Sequence, residues 1–243
     1  MLVKSQAKYI QSLGQKKYRD EHHVFIAEGP KIIAELIRDA KANLQSIYAL
    51  PNWIEANESL LQDTNTIPIS ESELERISQL KTPNQVLAVV KQFAEQPIST
   101  SNTVTLALDT IQDPGNLGTI IRVCDWFAID QIVCSLNCAD RYNSKVVQAT
   151  MGSIARVKML YTDLYEWLSQ QSNVPVYSAT LDGQDVSTLK PLHEAIVVIG
   201  NESSGISDSI LNLSRTKISI PKKGRAESLN AAIATGIILS HLT

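Results

Sequence analysis

Six short, almost wholly apolar runs recur between residues 105 and 221: TLALD (105–109), QIVCS (131–135), RVKML (156–160), VPVYSA (174–179), AIVVIG (195–200) and KISIP (217–221). Strand-like runs that alternate with helices imply a sheet covered on both sides. Helical spacing between most of them offers the cover, over 117–127, 144–151, 163–171, 207–212 and 227–242. This alternation predicts a parallel sheet with helices on both faces, an α/β fold.

The first ninety residues alternate in the same way. Ile32, Ile33, Leu36, Ile37 and Ala40 share one face of a helix that Pro30 can start. SIYAL (46–50), TIPI (66–69) and VLAVVKQ (86–92) read as strands, and 53–61 as a helix. Ser70 with Glu73 forms a capping box for a helix from Glu71 to Ser78. AEQPISTSNT (94–103) is rich in Ser, Thr and Pro and has no hydrophobic period, as a linker would. The predicted organisation is a smaller N-terminal domain over 1–96, a linker over 97–102 and a second domain over 103–243, which suits a chain of 243 residues.

Hydrophobic residues make up 44% of the chain, enough to exclude wholesale disorder. No run approaches the ~18 apolar residues of a membrane helix. The opening MLVKSQAKYIQSLGQKKYR has no apolar block behind its bases, so it is not a secretory signal. A soluble, cytoplasmic protein is expected. Three cysteines, Cys124, Cys134 and Cys138, make no disulfide framework. Cys134 and Cys138 lack a second pair at zinc spacing, so no metal is expected. Taken alone, the net charge of −3 argues against a polyanionic partner. Its distribution argues otherwise. Residues 1–19 hold Lys4, Lys8, Lys16, Lys17 and Arg19 without an acid, and Arg215–Arg225 is also purely basic, whereas 52–75 carries six acids and no base. Lys16, Lys17, Arg19, Lys222, Lys223 and Arg225 are therefore candidates to contact the phosphates of a polyanionic partner, with affinity falling as salt rises.

Three loops in the second domain follow strand ends, where ligands of open parallel sheets bind. In 106–123, Pro114-Gly115 turns the chain, Asn116 is placed to cap a helix, and Arg122 lies two turns into it. In 196–207 the spacing Gly200-x-x-x-x-Gly205 nearly spells a P-loop. Ile206-Ser207 stands where Lys-Ser/Thr would follow, however, and Glu202 would repel a triphosphate. In 218–242 a strand runs into Pro221, a basic turn follows, and Glu227-Ser228-Leu229-Asn230 opens a helix made narrow by Ala231, Ala232, Ala234 and Gly236.

Together these loops resemble the three motifs of the SpoU/TrmH family of RNA 2′-O-ribose methyltransferases, within the SPOUT class. The matching pieces are Asn116-Leu117-Gly118 with Arg122, Gly200-Asn201-Glu202 with Gly205, and Ile220-Pro221 with Glu227-Ser228-Leu229-Asn230. Residues 12–36 are similar, more loosely, to the family's N-terminal substrate-binding domain, which has a ribosomal-protein-like α/β fold. Lys222 stands where relatives often carry an apolar residue, which alters the loop's electrostatics.

The resemblance implies a trefoil knot in the C-terminal parallel sheet, which periodicity alone does not predict. It implies S-adenosyl-L-methionine as methyl donor, held by Gly200, Ile220 and Leu229, with Thr180, Leu181 and Asn201 as further contacts. Asn116, Arg122, Glu202, Ser228 and Asn230 are the implied catalytic residues, acting on a ribose 2′-OH of tRNA or rRNA. An arginine is an awkward base, since it is a pure donor with a pKa above ~12. The preferred role for Arg122 is to grip the neighbouring phosphate and stabilise the developing alkoxide. A homodimer through the knotted domain is implied as well. Two other readings stand beside this one: a non-catalytic RNA-binding protein of the same fold, and an RNA base methyltransferase.

Overall fold

The computed structural model describes residues 2–243. The chain divides into two compact units: residues up to Ala94 together with Asp140–Arg156, and Glu95–Ala139 together with Val157–Thr243. In chain order the elements are α1 (Lys4–Ser12), α2 (Lys16–His22), β1 (Val24–Glu28), α3 (Pro30–Ala40), β2 (Leu44–Ala49), α4 (Pro51–Ala56), β3 (Thr66–Pro68), α5 (Glu71–Ile77) and β4 (Val86–Lys91). There follow β5 (Val104–Leu108), α6 (Pro114–Trp126), β6 (Gln131–Ser135), α7 (Ser144–Thr150), β7 (Lys158–Thr162), α8 (Leu164–Ser169), β8 (Val176–Asp185), β9 (Ala195–Ile199), α9 (Asp208–Leu211), β10 (Thr216–Ser219) and α10 (Ala231–Leu242).

The first unit is a four-stranded sheet in the order β1-β4-β2-β3, antiparallel except for the β2–β3 pair. Alternate residues of β1 and β4 serve two cores. Phe25, Ala27, Ala88 and Val90 pack on α3, while Val24, Ile26, Leu87 and Val89 pack on α1 and α5. Burial on both faces explains the unbroken apolar run of β4. The predicted capping box is present: Ser70 Oγ accepts from Glu73 N, and Glu73 accepts from Ser70 N at 2.9 Å.

The segment 140–156 departs from the predicted division. Its helix α7 was expected in the second domain, yet Tyr142, Val147 and Ile154 lie in the α3-side core of the first unit. The Tyr142 ring stacks on Phe25 with centroids 4.8 Å apart, and its hydroxyl accepts from Phe93 N at 2.9 Å. At Gly152, with φ of 102°, an added Cβ would stand 2.5 Å from Glu35 Cβ, so the close approach to α3 requires glycine. Arg156 then pairs with Glu35 at 3.0 Å and with Asp39. These are tertiary contacts, which the local pattern does not carry.

The second unit is a six-stranded, all-parallel sheet in the order β10-β8-β9-β5-β6-β7. All six predicted strands are present. The order reverses between β5 and β9, so the carboxyl ends of these two strands flank a crevice of the kind in which open α/β sheets bind ligands. β8 is longer than predicted, because its ladder with β10 jumps from the Lys217–Ser178 pair to the Ile218–Gln184 pair. Residues 179–183 leave the ladder as an excursion that carries Thr180 and Leu181. At its end, a Cβ on Gly183 would lie 2.5 Å from Ile218 N, so only glycine lets β10 pass so close. α10 returns to pack against α6.

Candidate active site

β5 ends beside the crevice, and the helix that follows is capped by Asp113 rather than Asn116. Asp113 Oδ1 accepts from Asn116 N at 2.8 Å, and Pro114 occupies the first helical position. This corrects the predicted cap and frees the Asn116 side chain. Its Nδ2 donates to Glu202 Oε1, and its Oδ1 accepts from Asn230 Nδ2 at 2.8 Å.

Asn230, in turn, is the N-cap of α10, which begins at Ala231 and not at Glu227 as predicted. Asn230 Oδ1 accepts from Ala232 N at 3.0 Å and Ile233 N at 3.2 Å, leaving its amide N–H for Asn116. A carboxamide carries both an acceptor and donors, and both asparagines use both ends. The result is a hydrogen-bonded chain, Glu202–Asn116–Asn230, with one member from each of the three loops.

The loop after β9 is a tight hairpin. Asn201 and Gly205 exchange two backbone hydrogen bonds at 3.0 and 2.9 Å, and Asn201 Oδ1 accepts from Ser203 N at 2.8 Å and Ser204 N at 3.2 Å. A Cβ on Gly200 would stand 2.5 Å from Gly205 O and from Ile206 N, so the hairpin closes only over glycine. Beside it, Cys138 Sγ accepts from Ile111 N at 3.3 Å. A hydrogen bond from Cys134 holds the Cys138 thiol at about 7, below the ordinary thiol value, despite its burial. Burial pushes the Cys124 thiol up.

Arg122 does not join this chain. Six residues past Asn116, it lies about 240° further round α6, on the exposed face it shares with Thr119 and Trp126. It makes no hydrogen bond or ion pair among the described residues. Ser228 and Leu229 lie in the exposed stretch Pro221–Asn230, together with Lys222, Lys223 and Arg225. Ile220 is half-buried at its start. Thr180 Oγ1 is buried without a hydrogen-bond partner among the described residues, while Leu181 of the same excursion is 78% exposed.

In the first unit, Lys16 and Lys17 are exposed, Lys16 in a surface pair with Asp20. Arg19 corrects the prediction. It is 4% exposed, donates to the carbonyls of Leu13 and Gly14, each at 2.9 Å, and pairs with Asp140 at 2.6 Å. Its charge is used inside the unit, not offered to a phosphate. Sequence reasoning missed Asp113, although an Asp directly before a Pro is itself a helix-start signal.

Residues 103–240 match the SpoU rRNA Methylase family, and residues 4–88 match an MRM3-like substrate binding domain. Among curated relatives, the 23S rRNA (guanosine(2553)-2′-O)-methyltransferase RlmP of Bacillus subtilis is 28% identical over 244 residues, covering 95% of this chain and 92% of the relative. The mitochondrial rRNA methyltransferase 3B of Danio rerio is 25% identical, covering 97% of this chain and 69% of its own. A TrmH-family structure from Porphyromonas gingivalis aligns with a TM-score of 0.88 at 35% identity, covering 99% of this chain and 98% of that one. An AdoMet-bound rRNA methyltransferase from Sinorhizobium meliloti aligns with a TM-score of 0.85 at 29% identity, covering 99% and 95%. The second unit, with its parallel six-stranded sheet, shares the fold of these methyltransferases of the SPOUT class that its three motifs imply. With its three motif loops joined in one polar chain, the protein belongs to the SpoU rRNA Methylase family.

Proposed function

We infer that this chain transfers a methyl group from S-adenosyl-L-methionine to a ribose 2′-hydroxyl of RNA. The observation that carries this reading is the Glu202–Asn116–Asn230 chain, which unites the three family motifs at the sheet's switch point. Support comes from the Bacillus subtilis relative, a 2′-O-methyltransferase by name, and from the AdoMet-bound rRNA methyltransferase of Sinorhizobium meliloti.

The residues present fit the methyl donor. The unpartnered Thr180 hydroxyl offers a hydrogen bond, and Leu181 and Leu229 offer exposed apolar walls. Gly200, Asn201 and Ile220 would contribute backbone groups beside them. When bound, the donor supplies a methyl group on a positively charged sulfur. The protein's task is to hold the ribose oxygen in line with that carbon, which is worth up to ~7–11 kcal/mol in favourable cases. Asn116, with Glu202 and Asn230 fixing both its ends, is rigid enough to orient the ribose. Ser228 supplies a hydroxyl at the same rim. Arg122 would hold the adjoining phosphate and stabilise the developing alkoxide, with the 2′-OH proton passing to solvent water as the C–O bond forms and the C–S bond breaks.

The finer reading concerns assembly and substrate. Arg122 shares its face of α6 with Trp126, which is 85% exposed, and Ile233 on α10 is 56% exposed. We propose that this surface is covered in a homodimer and delivers Arg122 to the partner's site. Ribosomal RNA is the proposed substrate over tRNA, following the names of the Bacillus subtilis and Danio rerio relatives. Residues 1–96 are proposed to grip it through Lys16 and Lys17, and the second domain through Lys222, Lys223 and Arg225. The proposed compartment is the cytoplasm.

Incubation with labelled S-adenosyl-L-methionine and either rRNA or tRNA, followed by digestion to nucleosides, tests the reading. Label on a ribose 2′-oxygen of rRNA is expected. Label on a base, or no transfer to either RNA, contradicts it.

A further inference from the structure

We propose that the dipeptide Asp109-Thr110 is a positioning clamp that holds both ends of the 200–207 loop and so sets where Glu202 meets Asn116. The proposal rests on the methyl-transfer reading above. Asp109 is the first residue beyond β5 and is 6% exposed. Its Oδ2 accepts from Ser207 N at 2.9 Å, at the end of the loop, and its Oδ1 accepts from Thr110 Oγ1 at 3.0 Å. Thr110 O accepts from Asn201 Nδ2 at 2.9 Å, at the start of the loop. Two adjacent residues of one strand end thus grip a hairpin from the other side of the switch point, one at each of its feet. Glu202 is the residue next to the first foot, and it reaches Asn116 from there.

Backbone conformation supports the assignment. Thr110 has φ of 60°. That region is uncommon for any residue with a side chain and a genuine outlier for a β-branched one. Such strain persists only where the surroundings over-determine it, and it concentrates at functional sites. Here the surroundings are explicit. Thr110 N donates to Ser135 Oγ at 2.9 Å, Asp109 N donates to Ile199 O at 2.9 Å, and the carbonyl and hydroxyl of Thr110 are both engaged. The left-handed turn lets the N–H of Thr110 bond to the end of β6 while its C=O bonds to the loop after β9. An extended residue, with N–H and C=O set by the β5 ladder, would not make both contacts.

The clamp touches no reacting atom, so its removal should lower kcat and leave the KM for RNA unchanged. Asp109→Ala is expected to lower kcat by about 10²-fold, the scale of a ~1 Å misplacement. Asp109→Asn should recover most of it, since the carboxamide can accept from Ser207 N and donate to Thr110 Oγ1. Glu202→Ala supplies the decisive comparison. If Asp109 acts through Glu202, adding Asp109→Ala to Glu202→Ala costs little further, as for residues that act as one unit. Ser135→Ala, which removes the acceptor for Thr110 N together with a longer contact to Cys138 Sγ, gives an independent and milder perturbation should Asp109→Ala fail to fold. It should lower kcat several-fold without moving KM, and its loss should likewise vanish on Glu202→Ala. An unchanged kcat in these variants, or losses that multiply with that of Glu202→Ala, overturns the clamp. Wild-type protein run in parallel separates the cases, because absence of methyl transfer there counts against the reaction and not against the clamp.

Discussion

Two arginines, Arg19 and Arg122, show how differently the two units use charge. Arg19 sits in α2 of the first unit, 4% exposed, with two carbonyls and the Asp140 carboxylate around its guanidinium. Arg122 sits in α6 of the second unit, exposed and without a partner among the described residues. The first arginine fixes the turn between α1 and α2 and ties down the segment that begins at Asp140. The second is left available for a ligand or a neighbouring chain. Arg19, partnered and desolvated, is a structural part, and Arg122, exposed and unpartnered among the described residues, is free for the role proposed for it.

The sharpest way to break this comparison is to truncate both residues. Arg122→Ala is expected to lower kcat by about 10²–10³-fold, the cost of losing one group that stabilises developing negative charge. Its thermal unfolding should match that of the wild type. Arg19→Ala should do the reverse and destabilise the first unit by about 3–5 kcal/mol, because Asp140 is left as a half-buried charge without its partner. Denaturant titration and steady-state kinetics on both variants decide it. Equal stability losses, or equal kcat losses, would erase the distinction.

A smaller effect sharpens the same contrast. Glu28 at the end of β1 is buried, and desolvation raises its pKa above the usual 4.5, although hydrogen bonds from Ser78 Oγ and Gln79 N pull it back. The folded state therefore holds its proton to higher pH than the unfolded state does. The associated stability is fully present below about 4.5 and is lost as pH rises through the folded value. Glu28→Gln removes that dependence, so its stability relative to wild type should grow as pH rises from 4 to 7. A constant difference across that range would show that the Glu28 proton is not linked to folding.

The central strands β5, β6 and β9 were legible because strands buried on both faces are continuous apolar runs, and β7, β8 and β10 because they alternate with helical stretches. The three loops were legible through their composition at strand ends. What escaped reading depended on partners far along the chain. Nothing near Arg19 shows that its anion is 121 residues away. Nothing near Thr180 shows that β8 leaves its ladder there, because β10 imposes the jump. The α7 pattern predicts a helix but not which core it fills. Asn116 was misread as a cap because Asp113, three residues earlier, satisfies the backbone N–H of Asn116. That substitution is what releases the Asn116 amide for Glu202 and Asn230. Thr110 carries no sequence signal at all, since threonine is a poor choice for a positive φ.

On the methyl-transfer reading, Asn116 joins the three loops into one site. Label transfer to rRNA by wild type and by Asn116→Ala, at saturating RNA, tests it most directly. Ribose-bound label is expected from the wild type and a kcat at least about 10²-fold lower from the variant, with thermal unfolding unchanged. Equal rates from the two proteins would contradict it.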